Sequence, residues 1–296
     1  MPSTRDIRRR IKSVKGTAQI TKAMQMVASS KMRKAQQAAL NGRPFAALAQ
    51  ELMDHAVHGA SDFTHPLLEK REGGKKGLIV VSTDKGLCGA LNSNLLREAA
   101  RYDAANTRFL AVGKKAAQYL ARTRRDLAAE FTYRDTPTFS ECQAIADAAA
   151  DLFLKGEVSQ VDVLYTRFIN TLSQKPEICT VLPMGNPVEE AARSGEAARS
   201  TQPETAAPGP AVEYLFEPSA TSVIEALLTY ELTFQVAQLL LEAKASEHSA
   251  RMVAMKNATD NAQQLIKDLT LEYNKLRQSN ITKELLEIAT AQMALG

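Results

Sequence analysis

Three groupings in this 296-residue chain have residue types that could do chemistry. The first is Thr83-Asp84-Lys85-Gly86-Leu87-Cys88-Gly89, set between an apolar run, Gly77 to Ser82, and a helix expected from Leu91. A strand, a glycine loop and a helix N-terminus together form a common phosphate cradle. This loop has neither the GxxxxGK[ST] spacing nor the GxGxxG fingerprint, so its glycines read as turn chemistry. The second is His55 and His58, three apart on a helix and so able to share a metal. No third ligand is near, and solvent-facing histidines are the plainer reading. The third is Cys88, Cys142 and Cys179, odd in number, far apart and without CxxC. They exclude a disulfide framework and a zinc site, and they imply reduced thiols in a cytosolic compartment. No Ser/His/Asp grouping or carboxylate cluster accompanies them. The expectation is a chain that is not an enzyme, with no catalytic, cofactor-binding or metal residues.

The elements that would hold any site begin with the last quarter of the chain. Ser219 to Leu295 contains no Gly and no Pro, and Pro218 stands just before it. Its composition of Ala, Leu, Glu, Lys, Gln and Met favours helix. Ser222 and Glu225 have capping-box spacing at its start. One continuous helix there would be roughly 115 Å long, about three times the width of a domain this size. It is therefore expected to project as a rod and to need a partner along its apolar seam, read as Met255, Ala258, Ala262, Leu265, Leu269, Tyr273 and Leu276. The N-terminus offers that partner. Ser3 can cap a helix from Thr4, in which Ile7, Ile11, Val14, Ala18 and Thr21 step by 4, 3, 4 and 3 in the manner of a coiled coil. Ile20, Met24 and Val27 form a second apolar row. Gly42 and Pro44 are expected to interrupt the helix, and Phe45, Leu48, Leu52 and Val57 to extend it.

Between the two helices the periodicity changes. Strands are expected at Gly77–Ser82, Phe109–Val112, Leu127–Phe131, Val161–Phe168 and Ile178–Leu182. Helices are expected at 91–105, 114–121 and from a Ser140 cap to Leu154. Alternating strands and helices indicate a small Rossmann-like α/β domain with a mainly parallel sheet. The domains are then a shaft helix over 1–60, the α/β domain over 75–184, a disordered loop over 185–211, and a return strand with the second shaft helix over 212–296. The α/β domain joins the end of one long helix to the start of the other, so the pair must be antiparallel. Setting Val57 level with Ser219 makes partner numbers sum to about 276, which puts Met24 near Met252 and leaves residues from Leu276 onward as a lone helix.

Aromatics are only 5% of the chain and Trp is absent, as suits an extended rod. Net charge is +4, but residues 1–36 carry ten bases and one acid, a net of +9. Such a segment attracts nucleic acid, anionic lipid or an acidic protein surface. The aromatics needed to stack bases are missing, which weighs against a basic coiled-coil nucleic-acid binder. An α/β enzyme with helical arms would rest on Asp84 to Gly89 alone. The basic N-terminus has no apolar h-region, so no signal peptide is expected. The Val236–Leu241 run is too short to span a bilayer, so any membrane link would pass through a partner.

Asp6-Ile-Arg-Arg-Arg-Ile-Lys-Ser-Val-Lys15, Gln19-Ile-Thr-Lys-Ala-Met-Gln-Met-Val-Ala28, Asp84-Lys-Gly-Leu-Cys-Gly89, Tyr214-Leu-Phe-Glu-Pro218, Ala245-Ser-Glu-His-Ser-Ala-Arg-Met-Val-Ala-Met255 and Ile281-Thr-Lys-Glu-Leu-Leu-Glu287 resemble, in order, the bacterial-type gamma subunit of F-type ATP synthases. The chain departs from that family in having Ala291-Gln292 where Gly-Ala is usual. The resemblance implies a rotor shaft that couples proton flow through the membrane sector to ATP synthesis. It implies alpha and beta subunits around the coiled coil, and epsilon and the c-ring against the α/β domain. It also implies a peripheral place on the cytoplasmic face of the cell inner membrane. Lys22, Met24 and nearby bases would face an acidic loop of beta. Arg251 and Met252 would lie beside Met24 on the partner helix. Arg277, Gln278, Thr282 and Glu284 would make polar contacts to beta. A solvated face or a packed seam is the blander reading of each.

Overall fold

The computed structural model describes residues 3–59, 65–71, 73–184 and 219–295. The 185–211 loop and the Ala211 to Phe216 strand expected from sequence lie outside them. The elements run α1 (Thr4–Gly59), β1 (Lys76–Val81), α2 (Leu91–Ala100), β2 (Thr107–Val112), α3 (Lys114–Arg122), β3 (Leu127–Phe131), α4 (Phe139–Leu154), β4 (Gln160–Phe168), β5 (Gln174–Leu182) and α5 (Ala220–Leu295). The N- and C-terminal helices form a long antiparallel coiled coil, and a Rossmann-like α/β domain stands between them in sequence. Contacts divide the chain into two units, Met1–Ser30 with Arg251–Gly296, and Lys31–Ala250.

In the first unit α1 starts as its sequence demands. Ser3 Oγ accepts from the Asp6 N–H at 3.2 Å, while the Asp6 carboxylate takes the Ser3 N–H at 3.3 Å and its hydroxyl at 2.8 Å. This closes the first turn and satisfies donors that a helix start leaves open. Ile7 and Thr21 are buried, with Ile11, Val14 and Ala18 half-buried between them. On α5 the seam is Met255, Thr259, Ala262, Ile266, Leu269, Tyr273 and Leu276, which alternates steps of 4 and 3 throughout. Leu265 is 46% exposed, and Ile266 holds the place assigned to it. Spacings of 3-then-4 and 4-then-3 both fit the letters there, and only the strict heptad keeps one stripe inward.

Two contacts fix the register. The hydroxyls of Thr21 and Thr259 meet at 2.7 Å, and the Arg8 guanidinium donates to the Tyr273 hydroxyl at 2.9 Å while lying 5.5 Å from the ring centroid. These partner numbers sum to 280 and 281, so Met24 is level with about residue 256 rather than with Met252. The expected sum of 276 came from helix ends at 57 and 219. The observed ends, 59 and 220, give 279 and account for most of the difference.

In the second unit the sheet order is β3-β2-β1-β4-β5, with four parallel strands and β5 antiparallel at one edge. Strand alternation sends side chains to both faces. Leu78, Val80, Phe109, Ala111 and Leu164 pack with Leu95 and Ala99 of α2 and Ala116 and Leu120 of α3. Ile79, Val81, Leu110, Val112 and Val163 pack with Ile145, Ala149 and Phe153 of α4 and with Ile224, Leu228, Leu232 and Val236 of α5. Each of the Val, Leu, Ile and Phe side chains among them stabilises the fold by about 1.5–3 kcal/mol. Gly113, at φ 99°, opens α3 where any Cβ would lie 2.3 Å from the Ser82 carbonyl oxygen.

Three local expectations are corrected. Helix α1 runs unbroken through Gly42 and Pro44. A Cβ on Gly42 would come 3.3 Å from the Phe234 ring, so the glycine marks close helix approach and not a break. Ser219, not Ser222, caps α5, its Oγ accepting the Ser222 N–H at 3.3 Å. Helix α4 starts after Thr138, whose N–H donates to the Glu141 carboxylate at 2.8 Å, so Ser140 is inside the first turn. The Ser222–Met293 stretch of α5 does include a window long and apolar enough to cross a membrane by length and composition, although the Val236–Leu241 run alone is short. Within the fold, Ile224, Leu228, Leu232 and Val236 of that stretch are core residues.

Residues 243–249 of α5 are buried without interruption, although they include Lys244, Glu247 and His248. Lys244 pairs with Glu247 at 3.0 Å and lies 4.2 Å from the Tyr133 ring centroid. Asp135, in the β3–α4 loop, takes the Lys31 ammonium at 2.6 Å on one oxygen and His248 Nε2 at 3.2 Å on the other. Burial raises the Asp135 carboxyl, but Lys31, His248 and Lys244 together hold it below its ordinary 3.8.

Two predictions follow from this packing. With Thr21→Cys and Thr259→Cys the full chain should form an internal disulfide under mild oxidation, while cysteines at Met24 and Gln292 should not; a gel under non-reducing conditions reads both. A carboxyl lowered by folding stabilises above its unfolded value and loses that effect as pH falls through the folded one. Asp135→Asn should therefore be less stable than wild type in urea at pH 7, and the gap should close below about pH 4, where Asp also protonates.

Candidate partner-binding surfaces

The Asp84 loop is tied to backbone and side-chain groups of the chain itself. Asp84 Oδ1 accepts the Lys114 N–H at 3.0 Å and Ser82 Oγ accepts the Ala116 N–H at 2.8 Å, so side chains of the chain itself cap α3. Thr83 Oγ1 donates to the Lys85 carbonyl and receives the Asn92 amide, each at 2.7 Å. The residues resembling a nucleotide loop therefore build a turn. A cavity of about 360 Å³ is lined by Gln36, Ala39, Leu40, Phe168, Gln238, Glu242 and Ala245, with one carboxylate and no nucleophile. Burial raises the Glu242 carboxyl, against Arg167, the Phe168 N–H and the Tyr165 hydroxyl, which favour its charge. Cys142 is buried and its thiol is pushed up to about 11. Among the described residues no three His, Cys, Asp or Glu could share a metal. The side chains of His55 and His58 lie outside the described residues.

What the first unit offers is surface. Arg5, Arg9, Arg10, Lys12, Lys15 and Lys22 are exposed along α1. Arg8 differs from them in being held by Tyr273. Beside the bases Ile20 is 63% exposed and Val27 55%, so among the described residues little covers these two members of the second apolar row. Met26, 61% exposed, lies about 100° around the helix from Val27 and was not singled out from sequence. Met24, Arg251 and Met252 are each half-buried on this unit. The register brings Met24 one turn from Met252 along the pair rather than level with it.

Helix α1 begins at Thr4, so its seam is exhausted opposite Leu276. Every residue from Arg277 to Met293 is exposed. Arg277, Gln278, Thr282 and Glu284 stand on this single helix, where the Thr282 hydroxyl donates to the Gln278 carbonyl at 3.0 Å. Leu285, Leu286 and Ile288 are each 60% exposed or more, and Met293 84%. A lone helix of this length is marginal in water. The large apolar side chains Ile288, Ile281, Leu285, Met293 and Leu286 cover an arc of roughly 160° around it and call for cover from another chain.

The comparisons agree with such a rod. The family model described as ATP synthase matches residues 3–295. The ATP synthase gamma chain of Opitutus terrae is 49% identical over 296 residues, covering 99% of each chain, and that of Methylacidiphilum infernorum is 46% identical over 301 aligned residues, covering all of each. Among solved structures, the chain is similar to one in the central stalk and c-ring of the Tetrahymena thermophila mitochondrial ATP synthase, with a TM-score of 0.58, 27% identity, and 81% and 99% of the two chains covered. A chain of the Euglena gracilis mitochondrial ATP synthase shares the fold at a TM-score of 0.65 over 99% of this chain and 94% of that one, with 20% identity. The paired helices and these full-length matches lead to one assignment: this chain belongs to the ATP synthase gamma-chain family.

Proposed function

We propose that this chain is the central shaft of a bacterial F-type ATP synthase and couples proton flow in the membrane sector to ATP synthesis by rotating. It is a non-catalytic subunit of a membrane-associated complex. The single observation that carries the shaft reading is the exposed, apolar end of α5 beyond Leu276, which fits the inside of a closed protein ring. Alpha and beta subunits would form that ring and hold the ATP chemistry. Epsilon and the c-ring would bind the α/β domain, placing the chain peripherally on the cytoplasmic face of the inner membrane with no span of its own. The working division would be a shaft helix over 1–60, a domain over 75–184, a variable loop over 185–211 and a second shaft helix over 212–296.

Lys22 and the neighbouring bases would meet an acidic loop of beta by summed charge, with Met24 and Met252 packing behind them. Arg251, Arg277, Gln278, Thr282 and Glu284 would make the polar contacts. Ion pairs between exposed groups contribute about 0–1 kcal/mol each and are screened by salt. Single changes at Arg9 or Arg10 should therefore leave ATP-driven proton pumping within about twofold of wild type in reconstituted vesicles. Changing Lys12, Lys15 and Lys22 together to Glu should cut pumping several-fold while ATP hydrolysis continues. Undiminished pumping in the triple variant, or purification of the chain with nucleic acid instead of alpha and beta subunits, would refute the reading. The isolated chain should hydrolyse no ATP.

A further inference from the structure

A shaft must deliver torque to whatever it turns, so something has to stop α5 from twisting in its seat on the α/β domain. Apolar packing resists separation but is not directional. Residues 242–249 supply directional bonds, and they lie inside the unit formed by Lys31–Ala250. Glu242 is held by the Phe168 N–H and the Tyr165 hydroxyl of β4. Ser249 Oγ donates to the Thr171 carbonyl in the β4–β5 turn at 2.8 Å. Lys244 lies against Tyr133, and His248 against Asp135, both on the β3–α4 loop. Lys31 of α1 holds the second Asp135 oxygen.

At 3.6 residues per turn, Glu242 and Ser249 fall within about 20° of one another around the helix. Lys244 and His248 fall on the order of 100–160° away from them. The helix is gripped from two opposed sides at one level, by β4 and its turn on one and by the β3–α4 loop on the other. Rotation about its own axis must break both grips at once. Energetics point the same way. A buried ion pair adds little net stability over apolar residues of similar volume, because desolvation offsets its attraction. The Lys244–Glu247 pair, 3% and 6% exposed, lies within α5 and turns with it; its part is to place the Lys244 ammonium against the Tyr133 ring.

We propose that this collar, Glu242, Lys244, His248 and Ser249 of α5 against β4, its turn and the Tyr133–Asp135 loop, is the torque-bearing joint of the rotor. The proposal rests on the shaft reading. Its residues are positioning residues, since none touches substrate.

The test uses the complex of this chain with its alpha and beta subunits, fixed to a surface, with a rotation probe attached at the exposed Lys155. A small rod presents little drag and a large bead presents much. Asp135→Asn with Lys244→Met should turn the small rod at wild-type speed but deliver at least twofold less torque to the bead. A residue needed only for folding would change the assembled fraction and leave the torque of assembled complexes alone. Should the double variant fail to assemble, His248→Gln, which keeps the volume and a donor, should show the same load-dependent deficit in smaller measure. Loaded torque equal to wild type in either assembled variant would overturn the joint. A wild-type complex that hydrolyses ATP without turning either probe would instead remove the shaft reading itself.

Discussion

The heptad seam of α1 and α5 is the constraint from which the chain's surfaces follow. Ile7, Ile11, Val14, Ala18 and Thr21 supply one side, and Met255, Thr259, Ala262, Ile266, Leu269, Tyr273 and Leu276 the other. Each stripe is narrow, about two residues in seven, so most of each helix is left to face outward. Small residues at its middle bring the Thr21 and Thr259 hydroxyls to 2.7 Å. That contact satisfies two polar groups that burial would otherwise penalise, and it pins the register. Once the register is pinned, the place where α1 runs out is fixed too. The exposed end of α5 is thus a consequence of where α1 begins, at Thr4, and of the register that Thr21–Thr259 and Arg8–Tyr273 fix.

Much of this was legible in the sequence because heptad spacing is a local property. The positions of β1 to β4 were legible within two residues for the same reason, whereas β5 begins at Gln174, four residues before the expected Ile178. The errors share a cause in that they required knowledge of a second element. Leu265 and Ile266 are both apolar and adjacent, and only the facing helix decides which turns inward. Gly42 and Pro44 carry the letters of a break, yet the Phe234 ring lying against Gly42 gives the glycine another purpose. The register was displaced by about four in the partner sum, chiefly because α1 ends two residues later, at Gly59, and α5 starts one residue later, at Ala220, than the letters suggest.

The collar was the least legible feature. Lys244, Glu247 and His248 look like the solvated face of any long helix, and Lys31 and Asp135 are separated by 104 residues. Nothing in spacing announces that four elements converge there. The one available signal was the run of small and charged residues over 242–249, with no large apolar side chain, in a helix otherwise striped.

Apolar and charged contacts divide the work along α5 in a way that rotation explains. An apolar wall around Leu285, Leu286 and Ile288 would hold the tip without caring about its azimuth, since burial energy depends on area and not on angle. A shaft turning inside a bearing needs that indifference. A collar must behave oppositely, because a joint indifferent to angle transmits nothing. Hydrogen bonds weaken steeply when bent below about 120°, so they supply the angular dependence that burial lacks. His248 and Ser249 are themselves buried, so solvent reaches these two contacts only from the Asp135 and Thr171 side. Buried polarity at 242–249 and exposed apolarity from Arg277 to Met293 both invert the usual rule for a soluble helix. Each inversion falls where angle must be held in the first case and released in the second.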